Sequence, residues 1–203
     1  MLDRMVEKAR QREVFSREDT PTEQRVLAAF LYHAGLSYRR IEPFVDRSYE
    51  AIRQWYHRLQ ELFEPDRRQR EVIAVDETEL EIDGESVWVW AAVDTETFEV
   101  LHIDVSPGQS SLEAFLFLKE VLKHCRGRPV LKADRGPWYD WALEELPCDG
   151  QRETFGERSL IEAWFGVLKY RTRLFWHRFP HHASPASTRR WLRAYAALHN
   201  ATL

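Results

Sequence analysis

The chain has 203 residues, of which 44% are hydrophobic, and a formal net charge of −4. That apolar fraction is ample for a packed core in one large domain or two smaller ones, which excludes a disordered chain. No uninterrupted apolar run approaches the roughly 20 residues that a membrane span needs, and the N-terminal stretch is charged throughout, unlike a secretory signal. We therefore expect a soluble, cytoplasmic protein.

The charges are divided unevenly along the chain. Eighteen acidic and six basic side chains give residues 71–150 a net charge of −12, whereas residues 151–203 carry +6. Such a division is compatible with an acidic metal-binding region beside segments that contact phosphate.

Cys125 and Cys148 form no CxxC or Cys/His motif, so neither a disulfide framework nor a structural zinc site is indicated.

The first part of the chain predicts three short helices. Thr20 caps a helix that has Pro21 at its first position, and "SYRRIEPFV" forms a second helix. After the turn "DRS", Ser48 caps a third helix whose apolar residues recur at i, i+3, i+4 and i+7. This pattern is typical of a helix-turn-helix, and an ordinary three-helix packing unit is the alternative.

In the helix-turn-helix interpretation, the exposed face of the third helix enters a DNA groove. The side chains on that face are Arg47, Tyr49, Arg53, Gln54 and His57. Arg39 and Arg40, on the second helix, would lie near phosphates. In the alternative, these arginines are solvated surface residues.

After a polar stretch at 64–72, which is typical of a linker, the pattern changes to strands. Three alternating segments predict an antiparallel meander, and a capping box at Ser110 opens a helix. "RPVLKAD" then predicts a short buried strand, and three further helices follow. This order predicts an α/β core with a mixed sheet, in which "PCDGQRETFG" leaves little room for a fifth strand.

Two aspartates follow apolar strand segments. Asp76 comes directly after "VIAV", and Asp134 ends the strand "RPVLKAD". Strands seldom bury acids without a partner, although either residue alone could be an ordinary strand-end or turn aspartate. If the two strands are neighbours, the carboxylates converge and repel each other unless a cation intervenes. Mg²⁺ or Mn²⁺ suits such oxygen ligands, and a pair of these ions supports phosphoryl transfer.

The long helix near the C-terminal end supplies a third acid. Glu162 and Lys169 lie on one stripe of that helix, at the margin of its apolar face. Ser159 and Glu162 also match a capping box, so the glutamate is interpreted either as a helix cap or as a metal ligand. Lys169 is placed to hold a phosphate, and Arg171 and Arg173 extend the basic surface; in the alternative, Lys169 and Arg173 belong to a solvated helix face.

The ordered combination of these segments resembles the DDE transposases of prokaryotic insertion sequences, and looks most like the archaeal members of the insertion-sequence-six family. The segments that carry the resemblance are "IAVDET", "VWAAVDTET", "LKADRG" and "RSLIEAWFGVLKYRTRLF". It implies a ribonuclease-H-like DDE catalytic domain over residues 71–203, after a helical segment with a helix-turn-helix DNA-binding domain over residues 1–65. By matching position, Asp76, Asp134 and Glu162 are the catalytic residues and the ligands of two Mg²⁺ ions, for which Mn²⁺ can substitute.

The resemblance also implies an activity. The enzyme would bind the terminal inverted repeats of its element in double-stranded DNA, cut at the 3′ ends with water and join the freed ends to target DNA, working as a homo-oligomer. The alternatives are a nuclease or integrase of the same fold that does not transpose, and a catalytically inactive helix-turn-helix DNA-binding protein or repressor derived from a transposase.

Two features depart from the family pattern. Only 27 residues separate Asp134 from Glu162, which is shorter than is usual in that family. The acidic balance of residues 71–150 would repel DNA phosphates unless salt screened it. We therefore expect DNA binding to depend mainly on the first 65 residues and on the C-terminal third.

Overall fold

The computed structural model describes residues 1–16, 19–82, 84–134, 136–152, 158–172 and 183–203, with the backbone alone at 152, 158–160 and 172. It divides into two compact units, Met1–Glu64 with Arg190–Leu203, and Pro65–Arg189. Residues 190–203 group with the first unit, whereas the sequence pattern places them in the second domain. In the described ranges, no helix combines the length and the apolar character needed to cross a membrane.

The elements follow the chain in the predicted order of helices, then strands and helices. The helices are Leu2–Gln11 (α1), Thr22–His33 (α2), Tyr38–Val45 (α3), Tyr49–Arg58 (α4), Ser111–Leu122 (α5), Tyr139–Glu145 (α6), Arg158–Thr172 (α7) and Pro185–Thr202 (α8). The strands are Arg68–Gln69 (β1), Val72–Ile82 (β2), Glu85–Asp94 (β3), Val100–Ser106 (β4), Cys125–Arg126 (β5), Val130–Ala133 (β6) and Asp149–Arg152 (β7). A 3₁₀ turn, Leu59–Leu62, continues α4.

In the first unit, serine side chains cap α3 and α4, whereas α1 and α2 begin without a side-chain cap. Ser48 caps α4 as predicted, because its hydroxyl accepts a hydrogen bond from the Ala51 N–H at 3.3 Å. The predicted cap at Thr20 is wrong: α2 begins at Thr22 with Pro21 at the cap position. The Thr20 hydroxyl instead accepts a hydrogen bond from Arg47 Nε at 2.9 Å, so it joins the start of α2 to the turn before α4.

The second unit contains a five-stranded sheet with the strand order β4-β3-β2-β6-β7. The first three strands form the predicted antiparallel meander, and β6 pairs with β2 in parallel. The expectation of little room for a fifth strand is wrong, because the four residues of β7 suffice to pair in parallel with β6. Gly150 permits this, since a Cβ there would lie 2.9 Å from the Leu143 Cβ on α6.

The segment 64–72 is more than a linker. Its β1 residues pair in parallel with β5 in a small two-stranded sheet. Arg70 is fully buried and forms ion pairs with two acidic side chains, so this segment is part of the packed structure of the second unit.

Helices cover the sheet and form the core. The predicted capping box at Ser110 is confirmed, since Ser110 and Glu113 bond reciprocally at the start of α5. One core cluster joins β2 to α5 and α6; its members include Ile73, Val75, Trp90, Phe117, Leu131, Tyr139 and Ala142. α7 packs against β2 and β3 and buries the predicted apolar residues Ile161, Trp164, Phe165 and Leu168, whereas Phe175 of the predicted face lies outside the described residues.

Candidate active site

Asp76 and Asp134 come together because their strands are parallel neighbours. β2 and β6 pair in a register that sets Ala74 opposite Lys132. Each aspartate lies two residues beyond that pair, Asp76 within β2 and Asp134 directly after β6. Equivalent positions on neighbouring parallel strands lie on one face of the sheet, so the expected convergence of these carboxylates is confirmed.

Glu77 is a third acid at this place. One carboxylate oxygen from each of Asp76, Glu77 and Asp134 lies within 4.8 Å of the others, and all three side chains are half-buried. We call these three residues the acidic cluster. Three like charges at this separation repel one another unless protons or a cation compensate them.

Two hydrogen bonds hold the Glu77 carboxylate. The Tyr139 hydroxyl donates to Oε2 at 2.5 Å, and the Gln109 side-chain amide donates to Oε1 at 2.7 Å. Tyr139 is the first residue of α6 and is fully buried, while Gln109 lies just before the capping serine of α5. Each oxygen of the carboxylate is therefore oriented by a donor from the helical layer.

The electrostatics of the acidic cluster are visible in the pKa of Glu77. The pKa of Glu77 is raised to about 7, first by burial and also by the charges of Asp134 and Asp76, while the hydrogen bonds from Tyr139 and Gln109 oppose this increase. Burial and the neighbouring Glu77 likewise raise the pKa of Tyr139 well above its ordinary value. The fold thus holds carboxylates together at an electrostatic cost.

The donor set of the acidic cluster fits a hard divalent cation. All three groups offer carboxylate oxygens, which are the ligands that Mg²⁺ and Mn²⁺ prefer. Oxygens bound to one Mg²⁺ lie at most about 4.2 Å apart, so side chains within 4.8 Å need only a small closure to share an ion. A cation would also offset the repulsion among these neighbouring carboxylates.

Glu162 lies on α7, the helix that packs against the strand of Asp76. Its side chain is exposed, and among the described residues it is not a member of the acidic cluster. α7 begins at Arg158, one residue before Ser159, and this start does not favour Ser159 as the cap. The metal-ligand role of Glu162 stays a prediction.

The basic residues predicted on this helix have different environments. Lys169 is exposed and continues the stripe of Glu162. Arg171 is only 6% exposed, so its guanidinium is not presented on the surface. Arg173 lies outside the described residues.

In the first unit, a turn of three residues joins α3 to α4, as a helix-turn-helix requires. Arg39, Arg40 and Gln54 are exposed, and the Arg39 guanidinium lies over the Tyr49 ring at 5.2 Å from its centroid. Arg47 donates three hydrogen bonds, to the Thr20 hydroxyl and to the carbonyls of residues 19 and 46. Its guanidinium is therefore used in holding the turn.

The remaining two predicted DNA contacts on α4 also have protein neighbours. Arg53 donates two hydrogen bonds to the Glu50 carboxylate, at 2.9 and 2.6 Å. His57 is half-buried, and burial together with the charges of Arg53 and Arg190 lowers its pKa to about 4. His57 is consequently neutral near pH 7.

Glu77, Tyr139 and Gln109 are site residues that the motifs did not identify. A sequence signal existed for Glu77, because it occupies the same strand face as the core residues Ile73 and Val75. An acid at such a position needs a partner. Tyr139 and Gln109 gave no comparable signal, since their contact with Glu77 depends on the placement of α5 and α6.

No family model matches the chain. Among solved structures, a chain of the simian T-cell lymphotropic virus intasome in complex with PP2A regulatory subunit B56 gamma superposes with a TM-score of 0.51 at 16% identity, covering 78% of this chain and 67% of that one. The HTLV-2 integrase catalytic core domain with magnesium, in a trimeric form, gives a TM-score of 0.48 at 14% identity over 64% of this chain and 85% of that chain. The first likeness supports the fold, and the predicted ribonuclease-H-like mixed-sheet core is confirmed.

Two sequence relatives were found in other organisms. A segment of this chain is 46% identical over 65 residues to the uncharacterized protein aq_aa24 of Aquifex aeolicus, covering 32% of this chain and 53% of that protein. Over 199 residues, the chain is 36% identical to the uncharacterized protein MJ0017 of Methanocaldococcus jannaschii, covering 96% of this chain and 93% of that protein. The chain therefore belongs to the protein family of MJ0017.

Proposed function

We propose that the protein is a DDE transposase of the insertion-sequence-six kind, which cuts and joins DNA at the ends of its own element. The observation that carries this proposal is the convergence of Asp76 and Asp134 on neighbouring parallel strands, on a sheet against which the helix of Glu162 packs. The ribonuclease-H-like fold and the family resemblance of the segments around these acids support it.

In this proposal, Asp76, Asp134 and Glu162 would hold two Mg²⁺ ions, and Mn²⁺ can substitute. When bound, such ions lower the pKa of an attacking water and stabilise the charge on the leaving oxygen. Glu77 keeps its carboxylate fixed beside Asp76 through Tyr139 and Gln109, which limits the movement of the acidic cluster.

The reaction has two phosphoryl-transfer steps. In the first, a water oxygen bonds to phosphorus at the element end, the bond from phosphorus to the 3′ oxygen breaks, and a 3′-OH is left. In the second, that 3′ oxygen bonds to a phosphorus of the target and a target 3′ oxygen leaves. In this proposal, Lys169, which is exposed seven residues after Glu162, would hold a phosphate of the reacting strand.

DNA recognition belongs to the first unit in this proposal. The helix-turn-helix of α3 and α4 would bind terminal inverted repeats in double-stranded DNA, with Arg39, Arg40, Tyr49 and Gln54 exposed for contact. Because cutting and joining act on two element ends, we expect a homo-oligomer on DNA.

The test is strand joining in vitro with a plasmid that carries the gene and its flanking DNA. We expect joined products that require Mg²⁺ or Mn²⁺, that disappear in Asp76→Ala, and whose junctions coincide with short inverted repeats beside the gene. Metal-dependent cutting without joining would instead indicate a nuclease of the same fold.

The role of Glu162 has a sharper test. Glutamine is accepted in a capping box but is a poor ligand for Mg²⁺, so Glu162→Gln should keep fold and DNA binding and lose strand joining. Glu79→Gln is the matched control, because Glu79 is exposed on β2 and outside the acidic cluster. Full joining activity in Glu162→Gln would remove Glu162 from the ligand set.

A further inference from the structure

A polar cavity lies in the first unit, between α4 and the last helix. Its volume is about 230 Å³. The lining residues are Arg53, Gln54, His57, Arg58 and Gln60 from α4 and the following turn, and Arg190 from α8. Three of the six are arginines and none is acidic, so the lining favours an anion. The volume is below the roughly 300–1,000 Å³ of pockets for drug-sized ligands, and suits a small group.

The arginines of this cavity differ in how far protein groups use them. Arg53 is paired with Glu50, which offsets its charge. Arg58 donates one hydrogen bond, from Nη1 to the Val14 carbonyl at 2.8 Å. Arg190 is exposed, and within the described ranges its guanidinium forms no hydrogen bond or ion pair. Arg58 and Arg190 therefore keep donors available for a ligand.

The position of Arg190 is set by its buried neighbour. The Trp191 indole N–H donates to the Tyr32 hydroxyl at 3.0 Å, and the Trp191 ring lies 6.1 Å from that of Tyr56 on α4. Trp191 is 3% exposed and Tyr56 is fully buried. This packing places Arg190 beside α4 without constraint on its own side chain, as expected for a ligand-binding residue on a rigid support.

His57 lines the cavity together with these arginines. Its burial and the charges of Arg53 and Arg190 lower the pKa of the imidazole to about 4. A neutral imidazole offers one N–H donor and one acceptor, and so it can bond to an anion or to a water beside it.

We infer that this cavity binds a backbone phosphate of DNA, with Arg190 of the C-terminal helix and Arg58 as its cationic ligands. Guanidinium groups suit phosphate because their donors match its oxygens in pairs. The inference rests on the proposed DNA binding of the first unit and extends it: residues 190–203 contribute to the DNA contact as well as the helix-turn-helix. Arg190 thus belongs to the recognition surface although it is far from α4 in sequence.

The test is fluorescence anisotropy of the full chain with a labelled DNA duplex of mixed sequence, over a series of NaCl concentrations. Each phosphate contact contributes about 0.9 to the log–log salt slope, so Arg190→Ala should reduce the slope by about one. We also expect affinity at low salt to fall by about tenfold. Arg190→Lys, which keeps the charge, should keep the wild-type slope.

Arg4→Ala is the matched control, because Arg4 is an exposed arginine on α1 of the same unit and does not line the cavity. If Arg190→Ala and Arg4→Ala bind DNA equally well, the inference is overturned and the proposed function stands. Weaker binding of inorganic phosphate by Arg190→Ala, with unchanged DNA binding, also overturns the DNA assignment. A wild-type chain that does not bind the duplex overturns the proposed DNA binding itself.

Discussion

The second unit contains two groups of charged side chains with opposite arrangements. In the acidic cluster, Asp76, Glu77 and Asp134 bring like charges within 4.8 Å. In the group that we call the Arg70 network, the Arg70 guanidinium bonds to Asp94 at 2.5 Å and to Glu99 at 2.9 Å. Two carbonyls accept its remaining bonds, at 3.0 and 3.2 Å. Opposite charges meet in the Arg70 network, whereas like charges meet in the acidic cluster.

The two groups move carboxyl pKa values in opposite directions. In the acidic cluster, burial and like charges raise the pKa of Glu77 to about 7. In the Arg70 network, burial alone would raise the pKa of Asp94, but hydrogen bonds from Arg70 and from two backbone N–H groups lower it below its ordinary value. Opposite charges beside a buried carboxyl lower its pKa and like charges raise it, and a strongly raised carboxyl pKa marks a candidate functional site.

The largest effect should come from breaking the acidic cluster. Asp134→Asn replaces a proposed metal-binding carboxylate with a neutral amide. We expect the rate of strand joining to fall by about a thousandfold, which corresponds to about 4 kcal/mol of transition-state stabilisation. Because the substitution also removes repulsion, the melting temperature of the metal-free protein should not fall. A large loss of stability would show that Asp134 is mainly structural.

Breaking the Arg70 network should lower the stability of the protein and leave the joining activity of the folded molecules intact. Arg70→Met leaves the buried Asp94 carboxylate without its cation, so the free energy of unfolding should fall by about 3 to 5 kcal/mol in urea titrations. Joining activity per folded molecule should persist. Arg68→Met is the control, because the Arg68 pair with Glu99 is partly exposed and should contribute less than about 1 kcal/mol.

Metal binding should offset the like charges of the acidic cluster, as Arg70 offsets the charges of its acidic partners, and so stabilise the fold. Mg²⁺ at about 100 times its Kd would stabilise the fold by about 2.7 kcal/mol, if it binds only the folded protein. We expect thermal unfolding to show a higher melting temperature with MgCl₂ than with a chelator, and Asp76→Asn to abolish the increase. An equal increase in the melting temperature of Asp76→Asn would show that Mg²⁺ binds outside the acidic cluster.

The smallest effect concerns pH. The pKa of Glu77 is about 7 in the folded protein against an ordinary value of 4.5, so between these values the folded chain holds a proton that the unfolded chain has released. In metal-free buffer, stability should therefore fall as the pH rises from about 4.5 to about 7. Glu77→Gln should flatten the melting temperature across this window, while Glu79→Gln should leave the slope unchanged.

Local patterns predicted much of the fold. The caps at Ser48 and Ser110, the meander and the apolar face of α7 follow from hydrogen-bonding residues and periodicity that operate within a few residues. The errors fall where distant segments compete for the same groups. Thr20 bonds to Arg47 instead of capping α2, and Arg70 lies in a buried network instead of a linker.

For the candidate site, the sequence by itself determined that Asp76 and Asp134 follow apolar strand residues and that a third acid lies on a long helix. Only the tertiary structure decided that β6 pairs beside β2 in the register that unites the two aspartates. It also showed that Glu77 lies beside the two aspartates, with its carboxylate bonded by Tyr139 and Gln109. Arg190 lies beside α4 for the same kind of reason. The physical reason is that strand pairing and helix packing bring together residues far apart in the chain, whose mutual attraction or repulsion leaves no local pattern.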